Sequence, residues 1–158
     1  MERLKKALSA AGIAYKENEP LCAHCTFRIG GPADLFVLPE NEEQLCAAIR
    51  LAKEAGVRSY LLGNGSNILF EDAGYRGAVI NVSAMKSGIG VIENISFPGK
   101  DPALTYDAVV VGAGQMLSSL CMAALGNSLT GLEFAYGIPG TVGGAVYMNA
   151  GAYGNELK

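Results

Sequence analysis

Residues 137–154 read GIPGTVGGAVYMNAGAYG, six glycines in eighteen positions with no charged side chain among them. Glycine weakens helices and strands through its extra backbone entropy, so a run this dense means either slack chain or a backbone that must come very close to something. Flexible linkers combine glycine with serine or charge. Here Ile138, Val142, Val146, Tyr147 and Met148 interleave with the glycines instead. The segment therefore reads as packed loop. Pro139 fits the start of a turn or helix, with free N–H groups expected behind it. Gly140, Gly143 and Gly144 would let a flat or extended ligand lie directly against backbone.

A second glycine segment is Leu62-Gly63-Asn64-Gly65-Ser66-Asn67. Glycines two apart let successive N–H groups turn inward as a nest for phosphate oxygens. Ser66 and Asn67 add side-chain donors, and no carboxylate in the loop repels an anion. The dinucleotide fingerprint does not fit. Its sixth position is Ile68 rather than glycine, and residues 68–70 (ILF) read as strand rather than helix. No Gly-Lys-Ser/Thr occurs, which excludes a Walker A loop. The spacing predicts a phosphate loop between two strands, with an ordinary tight turn as the alternative. Two such segments together suggest a large phosphate-bearing ligand with a planar ring, either flavin adenine dinucleotide (FAD) or a nicotinamide cofactor. The missing fingerprint disfavours the nicotinamide fold and leaves FAD in a non-Rossmann fold as the leading expectation.

Around these loops the periodicity alternates between strand and helix. Met1–Gly12 reads as an amphipathic helix stopped by Gly12, and Ala33–Leu38 as a strand bounded by Pro32 and Pro39. Asn41 and Gln44 form a capping-box pattern before Leu45, Ala48, Ile49 and Ala52 at helical spacing, with Gly56 as the stop. Strands are expected at Val57–Leu62, Ile68–Phe70 and Ala78–Val82. Residues 83–107 read as loop with a strand around 89–95, followed by a strand at Ala108–Val111 that runs into Gly112-Ala113-Gly114. Leu117, Leu120, Cys121 and Ala124 mark a helix stopped at Gly126 or Asn127. The fold class is α+β: a helix and lead-in over 1–19, then blocks at 20–82 and 83–158.

The composition bounds the rest. A chain of 158 residues makes one domain or two small subdomains, and half apolar with 17% charged argues against disorder. A net charge of -3 gives no support to nucleic-acid binding, and no apolar run approaches membrane-spanning length. The N-terminus lacks the pattern of a signal peptide, so the cytoplasm is the expected location. Cys22, His24 and Cys25 cluster, but Cys46 and Cys121 stand apart and complete no second ligand pair, so reduced thiols and no metal are expected. His24 is the single histidine, and no nucleophile elbow accompanies it.

Taken together, TFRIGGPADLFVLP (26–39), LLGNGSNILF (61–70), VGAG (111–114) and GLEFAYGIPGTVGGAVYMNAGAYG (131–154) resemble the UDP-N-acetylenolpyruvoylglucosamine reductase family, also called UDP-N-acetylmuramate dehydrogenases. The resemblance runs from about residue 20 onward, and several of its motifs recur in the wider flavin family named after vanillyl-alcohol oxidase. It implies a two-subdomain FAD-binding domain of that type in a cytoplasmic enzyme of peptidoglycan precursor synthesis. Members take hydride from NADPH onto FAD and pass it to the enolpyruvyl ether of UDP-N-acetylglucosamine enolpyruvate, forming UDP-N-acetylmuramate. Carried over by position, Gly63, Asn64, Gly65, Ser66, Asn67 and Ile68 would cradle the FAD pyrophosphate. Gly140, Thr141, Gly143 and Gly144 would line the cofactor, with Asn149, Ala150 and Gly151 nearer the flavin ring. Cys25 stands where the family usually has a small polar residue. The Gly-Ser-Phe-Phe-Lys and Tyr-Arg-x-Ser motifs and the late glutamate that supply acid and charge stabilisation in the family do not occur in this chain. The expectation is therefore a chain carrying only the FAD-binding portion, its second subdomain incomplete and its substrate domain absent, with no catalytic residue assigned. The alternative is a non-catalytic flavin-binding module or inactive remnant.

Overall fold

In a computed structural model that describes residues 1–85, 88–95 and 106–158, the alternation of Ala33–Leu38 becomes the central strand of a sheet. Two compact units emerge, Met1–Met85 and Lys86–Lys158.

The first unit begins with helix α1 (Glu2–Ala10) and strand β1 (Ala14–Pro20). A 3₁₀ turn at Leu21–His24 leads towards β2 (Pro32–Leu38), α2 (Glu42–Glu54), β3 (Ser59–Leu62) and β4 (Tyr75–Asn81). The sheet order is β1-β2-β4-β3, with β1 antiparallel to β2 and the other neighbours parallel. Successive side chains of a strand point to opposite faces, and this divides the core in two. Leu35, Val37, Ala78 and Ile80 pack with Leu4, Leu8, Ala48 and Ala52 of the two helices. Ala33, Phe36 and Val79 pack on the other face with Leu21, Cys25, Leu62 and Phe70. The near-continuous apolar run of β2 is what burial on both faces requires.

Strand β1 has no counterpart in the sequence reading, where residues up to 19 are a lead-in. It is an edge strand, largely exposed, and its AYKENEP sequence carries the lysine, glutamates and proline that discourage edge-to-edge pairing. Such a composition hides the strand from any hydrophobic pattern. Residues 68–70 depart from expectation in the opposite direction: Ile68–Phe70 is not a strand. Phe70 is buried and Leu69 exposed, so the alternation is present, but the segment joins no ladder. The nearest backbone bond runs from Gly31 N–H to the Glu71 carbonyl at 2.9 Å. The loop at 63–67 therefore follows β3 and opens into an irregular connection towards β4.

The second unit holds β5 (Gly90–Ile95) and β6 (Tyr106–Val110) as an antiparallel pair, then α3 (Leu117–Gly126). A 3₁₀ turn at Glu133–Ala135, a short helix α4 (Val142–Tyr147) and a two-residue hairpin of β7 (Gly151–Ala152) with β8 (Asn155–Glu156) complete it. Its core joins Leu117, Leu120 and Cys121 of α3 to Ala135, Val142 and Ala145. The part of the expected 83–107 loop at 86–87 and 96–105 lies outside the described residues.

The four α-helices among the described residues close in the same way. A left-handed residue follows the cap at Gly12, Gly56, Ser128 and Asn149. In each case the next N–H reaches back to the third-last helical carbonyl: Ile13 to Leu8, Val57 to Ala52, Leu129 to Ala124 and Ala150 to Ala145. This is the Schellman arrangement, which satisfies carbonyls that a helix end would otherwise orphan. At α3 the stop falls where it was expected, with Gly126 the last helical residue and Asn127 the cap, and the left-handed residue beyond them is Ser128. At the start of α2 the capping box forms, with Gln44 N–H donating to Asn41 Oδ1 at 2.9 Å. The Gln44 side chain reaches one residue further back than the cap itself, accepting from Glu40 N–H at 2.9 Å.

Two substitutions test these ends by urea denaturation. Asn41→Ala removes the cap acceptor and is expected to cost about 1 kcal/mol. Ser128→Gly relieves a left-handed serine and is expected to stabilise by roughly 0.5–1 kcal/mol; a neutral or destabilising result would contradict the strain at that position.

Candidate functional site

The GNGSN loop begins at Leu62, which is 3% exposed at the end of β3. Three of its carbonyls are taken up by the chain. Gly63 C=O accepts from Asn81 Nδ2 at 3.0 Å. Gly65 C=O accepts from Thr26 N–H at 3.1 Å. The Ser66 carbonyl accepts from Thr26 Oγ1 at 3.4 Å. Asn81 is buried, and its Oδ1 accepts from both Ser83 N–H, at 3.1 Å, and Ser83 Oγ. That leaves the side chain one rotamer with its amide aimed at the loop.

Gly65 is left-handed, at φ +65°, and a Cβ there would lie 2.0 Å from the His24 carbonyl oxygen and 2.8 Å from Cys25 Cα. Only glycine fits that seat. The loop's N–H groups show the reverse of its carbonyls. Among the described residues, none accepts a hydrogen bond from the N–H of Gly63, Asn64, Gly65 or Asn67. With the carbonyls of Gly63, Gly65 and Ser66 held by the chain and the N–H groups of those four residues unbonded among the described residues, the loop presents an edge suited to phosphate. The residues present therefore fit a dinucleotide's pyrophosphate.

At 137–154 the expectation of open N–H groups behind Pro139 fails at residues 142–144. Val142 N–H donates to Gln115 C=O at 2.8 Å, Gly143 N–H to Ala113 C=O at 2.9 Å, and Gly144 N–H to Thr141 Oγ1 at 3.4 Å. The helix starts at Val142 with Thr141 as its cap, not at Pro139. A Cβ on Gly143 would lie 2.8 Å from Ala113 Cβ, so this glycine makes room for the VGAG loop. The carbonyls of residues 113–115 lie close enough to reach these donors first. Gly140, at φ +132°, gives its carbonyl to Leu117 N–H at 2.9 Å.

Asn149 is the left-handed residue closing α4, with φ +48°. Its Nδ2 donates to Glu156 Oε2 at 2.7 Å, and its Oδ1 accepts from Lys158 N–H at 3.0 Å. Ala150 N–H is bonded to Ala145 C=O, and Gly151 packs so closely on β8 that a Cβ would lie 2.6 Å from the Asn155 carbonyl. Beside them Val146, Tyr147, Met148 and Tyr153 are exposed, Tyr153 to 91%. Each predicted set is thus gathered within its own unit: Gly63–Ile68 in the first, Gly140–Gly151 in the second.

Sequence reasoning missed Asn81 and Thr26, which hold the first loop's carbonyls. A polar residue at the end of the apolar stretch Ala78–Ile80, in the run VINVS (79–83), was the available signal. The cysteines are all free thiols. Cys25 is buried with its Sγ 3.3 Å from the Ile29 carbonyl, and burial pushes the Cys121 thiol up.

These segments lie where the chain agrees with known proteins. A family model described as FAD binding domain matches residues 33–158, and the chain belongs to that family. Within it, the UDP-N-acetylenolpyruvoylglucosamine reductase of Lachnoclostridium phytofermentans is 42% identical over 158 residues, covering 100% of this chain and 47% of the relative. The crystal structure of the corresponding reductase from Thermus caldophilus superposes with a TM-score of 0.58 at 30% identity, covering 91% of this chain and 44% of that one. A VAO-type flavoprotein from Myceliophthora thermophila C1 shares the fold, with a TM-score of 0.51 at 17% identity over 63% of this chain and 18% of its own. The fold is thus the α+β FAD-binding fold of the VAO type. The chain spans less than half the length of the curated relatives it matches.

Asn81→Ala would strip the half-buried Gly63 carbonyl of its partner, at an expected cost of about 1 kcal/mol. Gly65→Ala is expected to be worse, because a left-handed alanine costs about 1–2 kcal/mol before the clash with backbone is counted. Urea midpoints for the two variants check the order.

Proposed function

We propose that this chain carries the FAD-binding portion of a cytoplasmic UDP-N-acetylenolpyruvoylglucosamine reductase acting in peptidoglycan precursor synthesis. The observation that carries the reading is the 42% identity to such a reductase along all 158 residues. In the proposed reaction NADPH is the hydride donor, FAD the carrier, and the enolpyruvyl ether of a UDP-sugar the acceptor.

The chain's own residues bind and orient. The N–H groups of Gly63, Asn64, Gly65 and Asn67 hold the pyrophosphate, with Ser66 and Ile68 completing the loop. Preorganisation supports this role. Thr26 and Asn81 already fix the loop's carbonyls, so little backbone freedom is lost on binding. In the second unit, Gly140, Thr141, Gly143 and Gly144 are proposed to line the cofactor by close approach of small residues rather than by N–H donation, since residues 142–144 give their N–H groups to the chain. Asn149, Ala150 and Gly151 are proposed to lie nearer the flavin ring.

The visible absorption spectrum of the purified chain tests the reading, with any released flavin identified after denaturation. Bound, non-covalent FAD is the expected result, and anaerobic addition of NADPH should then bleach the flavin band faster than NADH does. Bound FAD that neither nucleotide reduces would favour a non-catalytic flavin-binding module. No flavin after reconstitution with excess FAD would overturn the proposal for this chain.

A further inference from the structure

We propose that His24 is a positioning residue for the loop at 63–67: its imidazole, stacked on Phe36 and hydrogen-bonded to Glu19, sets the backbone wall on which Gly65 is seated. The inference rests on reading that loop as the FAD pyrophosphate cradle.

Residues 21–24 form a single 3₁₀ turn, a conformation with poor internal hydrogen-bond geometry that keeps its shape only when held from outside. Its first residue, Leu21, is fully buried, and the backbone N–H groups of Leu21 and Cys22 donate to the carbonyls of Gly31 and Gly30 at 3.1 and 3.2 Å. The last residue is held by its side chain. The His24 ring stacks on Phe36 with centroids 4.0 Å apart and planes 24° from parallel. Phe36 is 1% exposed in a strand paired on both sides, and so forms a rigid platform. In the ring plane, His24 Nε2 lies 2.8 Å from Glu19 Oε1.

Lys16, 2.8 Å from the same oxygen, and then His24 itself hold the Glu19 carboxyl below its usual range. An ionised carboxylate can only accept, so Nε2 carries the proton and donates. Stacking fixes the ring plane and the hydrogen bond fixes rotation within it.

The consequence reaches the loop through one peptide unit. The His24 carbonyl oxygen is the atom nearest the absent Gly65 side chain, at 2.0 Å from a Cβ position. Thr26, two residues on, bonds the carbonyls of Gly65 and Ser66. Residues 24–26 thus form a continuous floor under residues 65–66, and the imidazole is the side-chain fastening of that floor at its leading end. Glu19 has no contact of its own with the loop among the described residues, which makes it the cleaner lever.

The test compares Glu19→Ala, which removes the acceptor, with Glu19→Gln, which keeps an oxygen for Nε2–H, and adds His24→Gln. Amide resonances of Gly63, Gly65 and Asn67 are read in the FAD-free chain, alongside urea midpoints and an FAD titration followed by flavin fluorescence. Glu19→Ala and His24→Gln are expected to move the loop resonances and to raise the Kd for FAD about tenfold, as befits loss of one charge-assisted hydrogen bond. Glu19→Gln is expected to restore most of both. A lowered urea midpoint with unmoved loop resonances would reduce His24 to a packed ring and overturn the inference. Loop resonances that move in a wild-type background that binds no FAD would sustain the positioning role and sink the cofactor reading instead.

Discussion

The seat of Gly65 on the His24 carbonyl is the contact from which the loop end of the first unit is built. It demands a residue without Cβ and a left-handed backbone, and once both are met the chain can turn sharply at the end of β3. The neighbouring carbonyls then face the chain, where Asn81 and Thr26 take them. Among the described residues, the N–H groups of Gly63, Asn64, Gly65 and Asn67 are left as the loop's available edge. Inward-turned N–H groups of this kind attract anions without any cationic side chain.

The second glycine segment obeys a different constraint. Its N–H groups at 142–144 are used to join α4 to the 113–115 stretch and to its own cap, and the missing Cβ of Gly143 is what lets the two backbones meet. Asn149 likewise serves the fold, as the left-handed closure of α4 and as a clamp on residues 156 and 158. Glycine density thus leaves backbone N–H groups unbonded among the described residues in one segment and closes backbone on itself in the other. Membership of the FAD-binding family is compatible with both, because close approach of small residues and donation by N–H groups are separable ways of meeting a flat, phosphate-bearing cofactor.

Much of the architecture was legible because it depends on local signals. The apolar run of 33–38, the Asn41–Gln44 box, the glycine stops at 12 and 56 and the helical spacing of 117–124 each act within a few residues, and each appears in the structure. Strand β1 was not legible, since an edge strand is selected for charge and proline rather than for an apolar pattern. Residues 68–70 were misread for the converse reason: alternation was present, but a strand is defined by a partner, and none pairs there. The stop of α3 was legible too, with Gly126 the last helical residue and Asn127 its cap, although serine takes the left-handed position beyond them that is usually given to glycine or asparagine.

Sequence alone determined the fold class and the family, because residue type and short-range spacing encode them directly. Only the tertiary structure decided which N–H groups are open and which are spent, since that depends on carbonyls from residues far along the chain. Gly63 meets Asn81, and Gly65 meets His24 and Thr26, across separations of 18 to 41 positions that no local pattern records.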